Sequence, residues 1–153
     1  MKKYYLVFFV LLLFACSDES GSNKAKINTD TTVSTSKNVY KYTADSVLKN
    51  AFAKGIGDIQ VLVKANVVRV LPDDTKGDQH QRFIVELNSG QKILVAHNID
   101  LAPRVSGLKN KDSVIIHGEY EWNNKGGVIH WTHKDSRGKH IDGWIERMGV
   151  KYE

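Results

Sequence analysis

From Ile59 onward, apolar and polar residues alternate with a period of two, in runs separated by turn residues. That pattern predicts strands over Ile59–Leu71, His80–Leu87, Lys92–His97, Ser113–Trp122 and Val128–His133. The breaks are Pro72-Asp73-Asp74, Asn88-Ser89-Gly90 and Asn123 to Gly127, residue types that bend a chain tightly between strands. Within the first strand the apolar positions change phase, from Val61, Val63, Ala65 and Val67 to Val68 and Val70. A bulge at Val67-Val68 would let that one long strand serve both sides of a closed barrel. Upstream, Val47, Leu48, Ala51 and Phe52 share one helical face between a Thr43 N-cap and Gly55, which predicts a short amphipathic helix packed on the sheet. Between strands three and four, Asp100-Leu101-Ala102-Pro103-Arg104 reads as a helix start, with Val105 and Leu108 facing inward.

Three strands, a helix and two more strands follow the order of an OB-fold, a partly open Greek-key barrel. The predicted class is therefore mainly β: a small five-stranded OB-like barrel with an N-terminal amphipathic helix and a short helix between strands 3 and 4. A sandwich and an SH3-like barrel are the alternatives. Beyond the fifth strand, Ile141, Trp144, Ile145, Met148 and Val150 give the tail an apolar side that suits packing across a barrel opening.

Composition adds an address. The single cysteine, Cys16, directly follows an apolar run from Leu6 to Ala15, which in turn follows the basic start Met1-Lys2-Lys3. This is the layout of a secretory signal, and the run is too short to span a bilayer as a helix. Leu13-Phe14-Ala15-Cys16 resembles the lipobox of bacterial lipoproteins, in which the cysteine becomes the lipidated N-terminus. The expected organisation is a cleaved signal over residues 1–15, a lipidated Cys16 with a disordered tether to residue 38, and a barrel domain over 40–153. Several acyl chains hold a protein far more firmly than one, at about 0.8 kcal/mol per buried CH₂, so membrane lipid is the expected first partner. Ser17 rather than Asp after the cysteine favours the outer membrane, facing the periplasm. The tether is rich in Ser, Thr, Asn and Lys and cannot bury enough surface to order itself.

Charge narrows the partners further. The chain carries 22 Lys and Arg against 17 Asp and Glu; without Lys2 and Lys3 the surplus falls to 3. A surplus so small and so evenly spread disfavours nucleic acid, whose binders cluster their basic residues. With one thiol, no internal disulfide is possible.

Four runs carry a family resemblance: Arg82-Phe83-Ile84-Val85, Ala96 to Arg104, Gly118-Glu119-Tyr120-Glu121-Trp122-Asn123 and Gly126 to His133, with Gly143-Trp144-Ile145 beyond them. Together they resemble the bacterial domain of unknown function DUF3465 over roughly residues 58 to 153. The resemblance implies a domain and its limits; it implies no activity and no catalytic residues.

Candidate chemistry must come from the residues. Strand alternation puts His117, Glu119 and Glu121 on the outer face of strand four. A turn centred on Asn124-Lys125 places His130 opposite Glu119 and Thr132 opposite His117. His117, Glu119 and His130 then form a candidate site for a divalent metal such as zinc. The plain alternative is a solvated face on which His and Glu pair by hydrogen bonding. His130, His133, Asp135 and His140 form a second candidate set, with the histidine and carboxylate of a metal-dependent hydrolase. Against it, positions 130 and 133 point to opposite faces of a regular strand, and Asp135-Ser136-Arg137-Gly138 reads first as a turn. Asn98 to Pro103 also resembles a strand end of thermonuclease-like OB-folds, but Arg104 stands where those enzymes need a glutamate base. Tyr120, Trp122 and Trp131 are expected inside, the last opposite Gly118, and Trp144 outside. His97, Trp131, His133, Asp135, His140 and Trp144 complete the candidate ligand-binding residues. The functional expectation is a membrane-anchored periplasmic binding or structural module, its ligand or envelope partner unidentified. The alternative is a metal-dependent phosphodiesterase or nuclease-like hydrolase.

Overall fold

The computed structural model describes residues 41–153; the signal, Cys16 and tether expected over residues 1–38 lie outside them. The elements are α1 (Asp45–Lys54), β1 (Ile59–Val70), β2 (His80–Glu86), β3 (Lys92–Asn98), β4 (Ser113–Glu121), β5 (Val128–His130), β6 (Trp144–Arg147) and β7 (Val150–Tyr152). Antiparallel pairs join β1 to β2, β2 to β3 and β5 to β4, β3 and β5 run parallel, and β4 returns to β1. That closure is an OB-like barrel of five strands, with β6 and β7 added beside β4. No helix of the described residues is long and apolar enough to cross a membrane.

β1 closes the barrel in the way its phase change predicts. Its first half pairs with β4 and its second half with β2, and the register shifts between Val67 and Arg69. Val61, Val63, Ala65 and Val67 line the core, where they meet Phe83, Val85, Ile93, Val95 and Ile116. Beyond the bulge Val68 and Val70 do not join the core, and Val70 is exposed.

Helix α1 covers one end of the barrel with Leu48 and Ala51, while Val47 and Phe52 stay exposed. Gly55 ends it in a left-handed conformation, and its N–H reaches the carbonyls of Ala51 and Phe52. Thr43 is not the cap. Ala44 holds that position, and Thr43 instead pairs with β1, its N–H donating to the Leu62 carbonyl at 2.7 Å and its hydroxyl accepting from the Leu62 N–H at 3.0 Å.

The expected helix between β3 and β4 is absent; residues 99–112 are a run of turns. Side chains take the backbone groups that a helix would have paired. Asn98 Oδ1 accepts from the N–H groups of Asp100 and Leu101, and the Gln81 amide binds both the N–H and the carbonyl of Val105. Val105 nonetheless points inward and is buried, and Leu108 packs on the core, as their spacing predicts.

The two remaining differences share one cause. β5 stops at His130 because Trp131 adopts a φ of 51°, which turns the chain away from β4. β4 thereby has half of one edge free, and β6 fills it, pairing Val114–His117 with Arg147–Trp144. The expected irregular tail thus contains two strands; along it Ile145 is buried, while Ile141, Met148 and Val150 are exposed.

Candidate functional site

Glu119 lies at the centre of the outer face of β4, and the observed register sets it opposite His130. His130 Nε2 is 3.3 Å from Glu119 Oε1, close enough for an ion pair but misaligned for a hydrogen bond, so this buried nitrogen has no hydrogen-bond partner. The other carboxylate oxygen meets a residue from the chain beyond β5. His140 Nε2 donates to Glu119 Oε2 at 2.6 Å, and His140 Nδ1 donates to the Ile141 carbonyl at 2.8 Å. Both ring nitrogens face acceptors, an arrangement that favours the imidazolium. Burial acts to lower its pKa, but the Glu119 carboxylate and the Ile141 carbonyl outweigh it and raise it above the ordinary value. Trp131 lies flat on the ring, 4.1 Å away at 8°.

Asp135 builds the loop that delivers His140. Its carboxylate accepts from the N–H groups of Arg137, Lys139 and His140, and those bonds hold it below the usual carboxylate range. Its oxygens are therefore engaged in the turn, in keeping with the Asp-Ser-Arg-Gly turn signal.

The other candidates are placed as follows. His117 stands apart: no β5 residue reaches it, Trp144 of β6 covers it at 5.8 Å, and its Nε2 lies 3.2 Å from Gln60 Nε2. Burial pushes its pKa down. The expected pairing of His117 with Thr132 fails because β5 ends two residues too early. Trp131 does not point inward opposite Gly118. The turn at Trp131 shifts the alternation by one residue, so the buried Thr132 takes that place, beside the glycine. Trp122 is also outside; β4 ends before it, and its indole N–H donates to the Phe52 carbonyl at 3.0 Å. Tyr120 is fully buried. Trp144 is half-buried, with the Lys151 ammonium 4.4 Å from its ring centre.

His97 is fully buried. Its Nε2 donates to the Pro103 carbonyl at 3.0 Å, which fixes the tautomer, and Nδ1 accepts from the Thr132 hydroxyl at 2.9 Å. Burial lowers its pKa and keeps it neutral. It pins the 99–112 loop to the segment after β5, a structural task that both of its nitrogens complete.

Sequence reasoning missed two things. Glu121, two residues along the same face as Glu119, brings its carboxylate to the Glu119 and His130 ligand atoms, all within 4.8 Å of one another. Its parity with Glu119 was the available signal. A groove of about 430 Å³ also opens beside the cluster. Ala96, Leu101 and Trp131 give it apolar surface, and His80, Asn98, His130 and His133 give it hydrogen-bonding groups. One acid, Asp78, and one base, Arg137, complete its wall. His130 borders both groove and cluster.

No curated protein matches this chain. A family match does, and it begins well before the expected limit near residue 58, so that it takes in α1 as well as the barrel. Residues 31–153 match the family described as Protein of unknown function (DUF3465), and the chain belongs to that family.

Proposed function

We propose that this protein is a lipid-anchored envelope module whose barrel binds a small neutral polar ligand of the saccharide class in the groove beside Trp131. The observation that carries the reading is the groove's lining. Apolar surface from Leu101, Trp131 and Ala96 suits the carbon face of a sugar ring, and three imidazoles and an amide suit its hydroxyls. No lysine lines the groove, and Asp78 offsets Arg137, so a phosphate backbone finds no basic track there. OB barrels bind oligosaccharides as well as oligonucleotides on the strand 2 and 3 face, and within that fold-level analogy the groove's charge balance supports sugars.

The full chain is expected to bind members of a glycan panel in calorimetric titration. Leu101→Asp, which puts a charge on an exposed apolar contact, should weaken that binding at least tenfold. Binding of oligonucleotides but of no glycan would overturn the saccharide assignment.

The anchor rests on the lipobox-like Leu13-Phe14-Ala15-Cys16 and the apolar run before it. Cys16→Ser removes the only thiol able to take a thioether-linked lipid, and the chain should then leave the membrane fraction. If the variant sediments with membranes as the parent does, the anchor is refuted. The hydrolase alternative draws on the carboxylates and imidazole gathered at Glu119, and depends on their holding a metal.

A further inference from the structure

We propose that Glu119, Glu121 and His130 form a binding site for a first-row divalent cation of the zinc class. This goes beyond saccharide binding, since the three residues face the outer side of β4 and β5 and only His130 also touches the groove.

The geometry arises from strand pairing. Glu119 and Glu121 are two apart on one face of β4, and His130 is directly opposite Glu119, so it is also diagonal to Glu121. Each residue offers one ligand atom, and the three atoms lie within 4.8 Å of one another. Metal–ligand bonds of about 2.0–2.2 Å place the ligand atoms of one ion roughly 3.4 Å apart. The ligand atoms can thus stand wider apart than one bound ion requires, and the rotatable glutamate side chains are the groups that would draw in around it.

Two ligand atoms have no hydrogen-bond partner among the described residues. His130 Nε2 is shut from solvent and makes no hydrogen bond. The half-buried Glu121 carboxylate makes no hydrogen bond or ion pair among the described residues; it rests over Gly57, where any Cβ would overlap Glu121 Oε2. Glu119 is already oriented, because His140 holds its second oxygen at 2.6 Å and leaves the first toward His130. Ligand carboxylates held in this way by an outer hydrogen bond are a regular feature of metal centres. An imidazole in the set selects zinc-like ions over magnesium or calcium, and three protein ligands leave a coordination position open.

The test is calorimetric titration of ZnCl₂ into the metal-stripped full chain carrying Cys16→Ser, so that no thiol competes. One zinc per chain should bind and raise the thermal midpoint, and MgCl₂ should do neither. Glu121→Gln and His130→Gln should each weaken zinc at least tenfold, while His117→Gln leaves it unchanged. Glu121→Gln is isosteric and at the surface, so circular dichroism like the parent's is expected and separates lost binding from lost fold. Absence of zinc binding, or one-to-one binding that survives both substitutions, overturns the site. Neither result bears on glycan binding, which Leu101→Asp tests separately.

Discussion

Replacing His97 with leucine lowers the unfolding free energy by about 3 kcal/mol in urea denaturation at pH 7.5. Leucine keeps much of the volume, so the loss is chiefly polar. The Pro103 carbonyl and the Thr132 hydroxyl lose their partner, and an unsatisfied buried polar group costs about 1–3 kcal/mol. The expected effect lies within the span of one to two such groups. The same histidine makes the parent acid-sensitive. Its folded pKa is depressed below 6.5, so above pH 6.5 it is neutral in both states and costs nothing. As pH falls below 6.5 the unfolded chain takes up a proton that the folded one refuses, and stability declines until the folded pKa is passed. His97→Leu removes that component, so the gap between parent and variant narrows as pH falls from 7 toward 5. Parallel stability profiles across this range would show that His97 is not the group responsible.

Gly143→Ala is expected to cost a further-reaching loss, about 3 kcal/mol, the upper end of what added bulk costs in a packed interior. Gly143 stands where β5 has left β4 and β6 arrives. Its N–H donates to the His133 carbonyl at 2.9 Å, and a Cβ there would collide with the carbonyls of Trp131 and His117. Both obstacles are backbone, which cannot rotate aside as a flexible side chain can. Hydrogen exchange should show the amides of β6 and β7 losing protection while those of β1 to β3 keep it. A variant within about 0.5 kcal/mol of the parent would mean that the junction is looser than its geometry implies. Gly118 lies across the same junction, with the His130 carbonyl and Thr132 against it, so the two glycines together let three chain segments meet.

This junction also marks where sequence patterning ran out. Through β4 the outward set of His117, Glu119 and Glu121 and the inward set of Val114, Ile116 and Tyr120 are legible as simple alternation, and the Asn123 to Gly127 turn sets Glu119 opposite His130. One residue past His130, a tryptophan takes a left-handed conformation that favours glycine or asparagine, and nothing in its neighbours announces it. Every expectation carried past that point by counting in twos shifted by one: Thr132 went in, Trp131 came out, and His117 lost its partner to β6. β6 and β7, with four and three residues, are too short for alternation to distinguish from an apolar tail.

The same contrast separates what the chain alone determined from what its folding decided. The limits of β1 to β4 to within a residue or two, the β1 bulge, the OB-like strand order and the pairing of Glu119 with His130 follow from period-two patterning and turn chemistry, which depend on residues near one another along the chain. The replacement of a helix by turns over residues 99–112, the delivery of His140 to Glu119 and the gathering of Glu121 in place of His117 were settled by tertiary structure. In the first two, a backbone or side-chain polar group is satisfied by a residue distant in sequence, Gln81 for Val105 and Glu119 for His140, and local propensity carries no record of such partners.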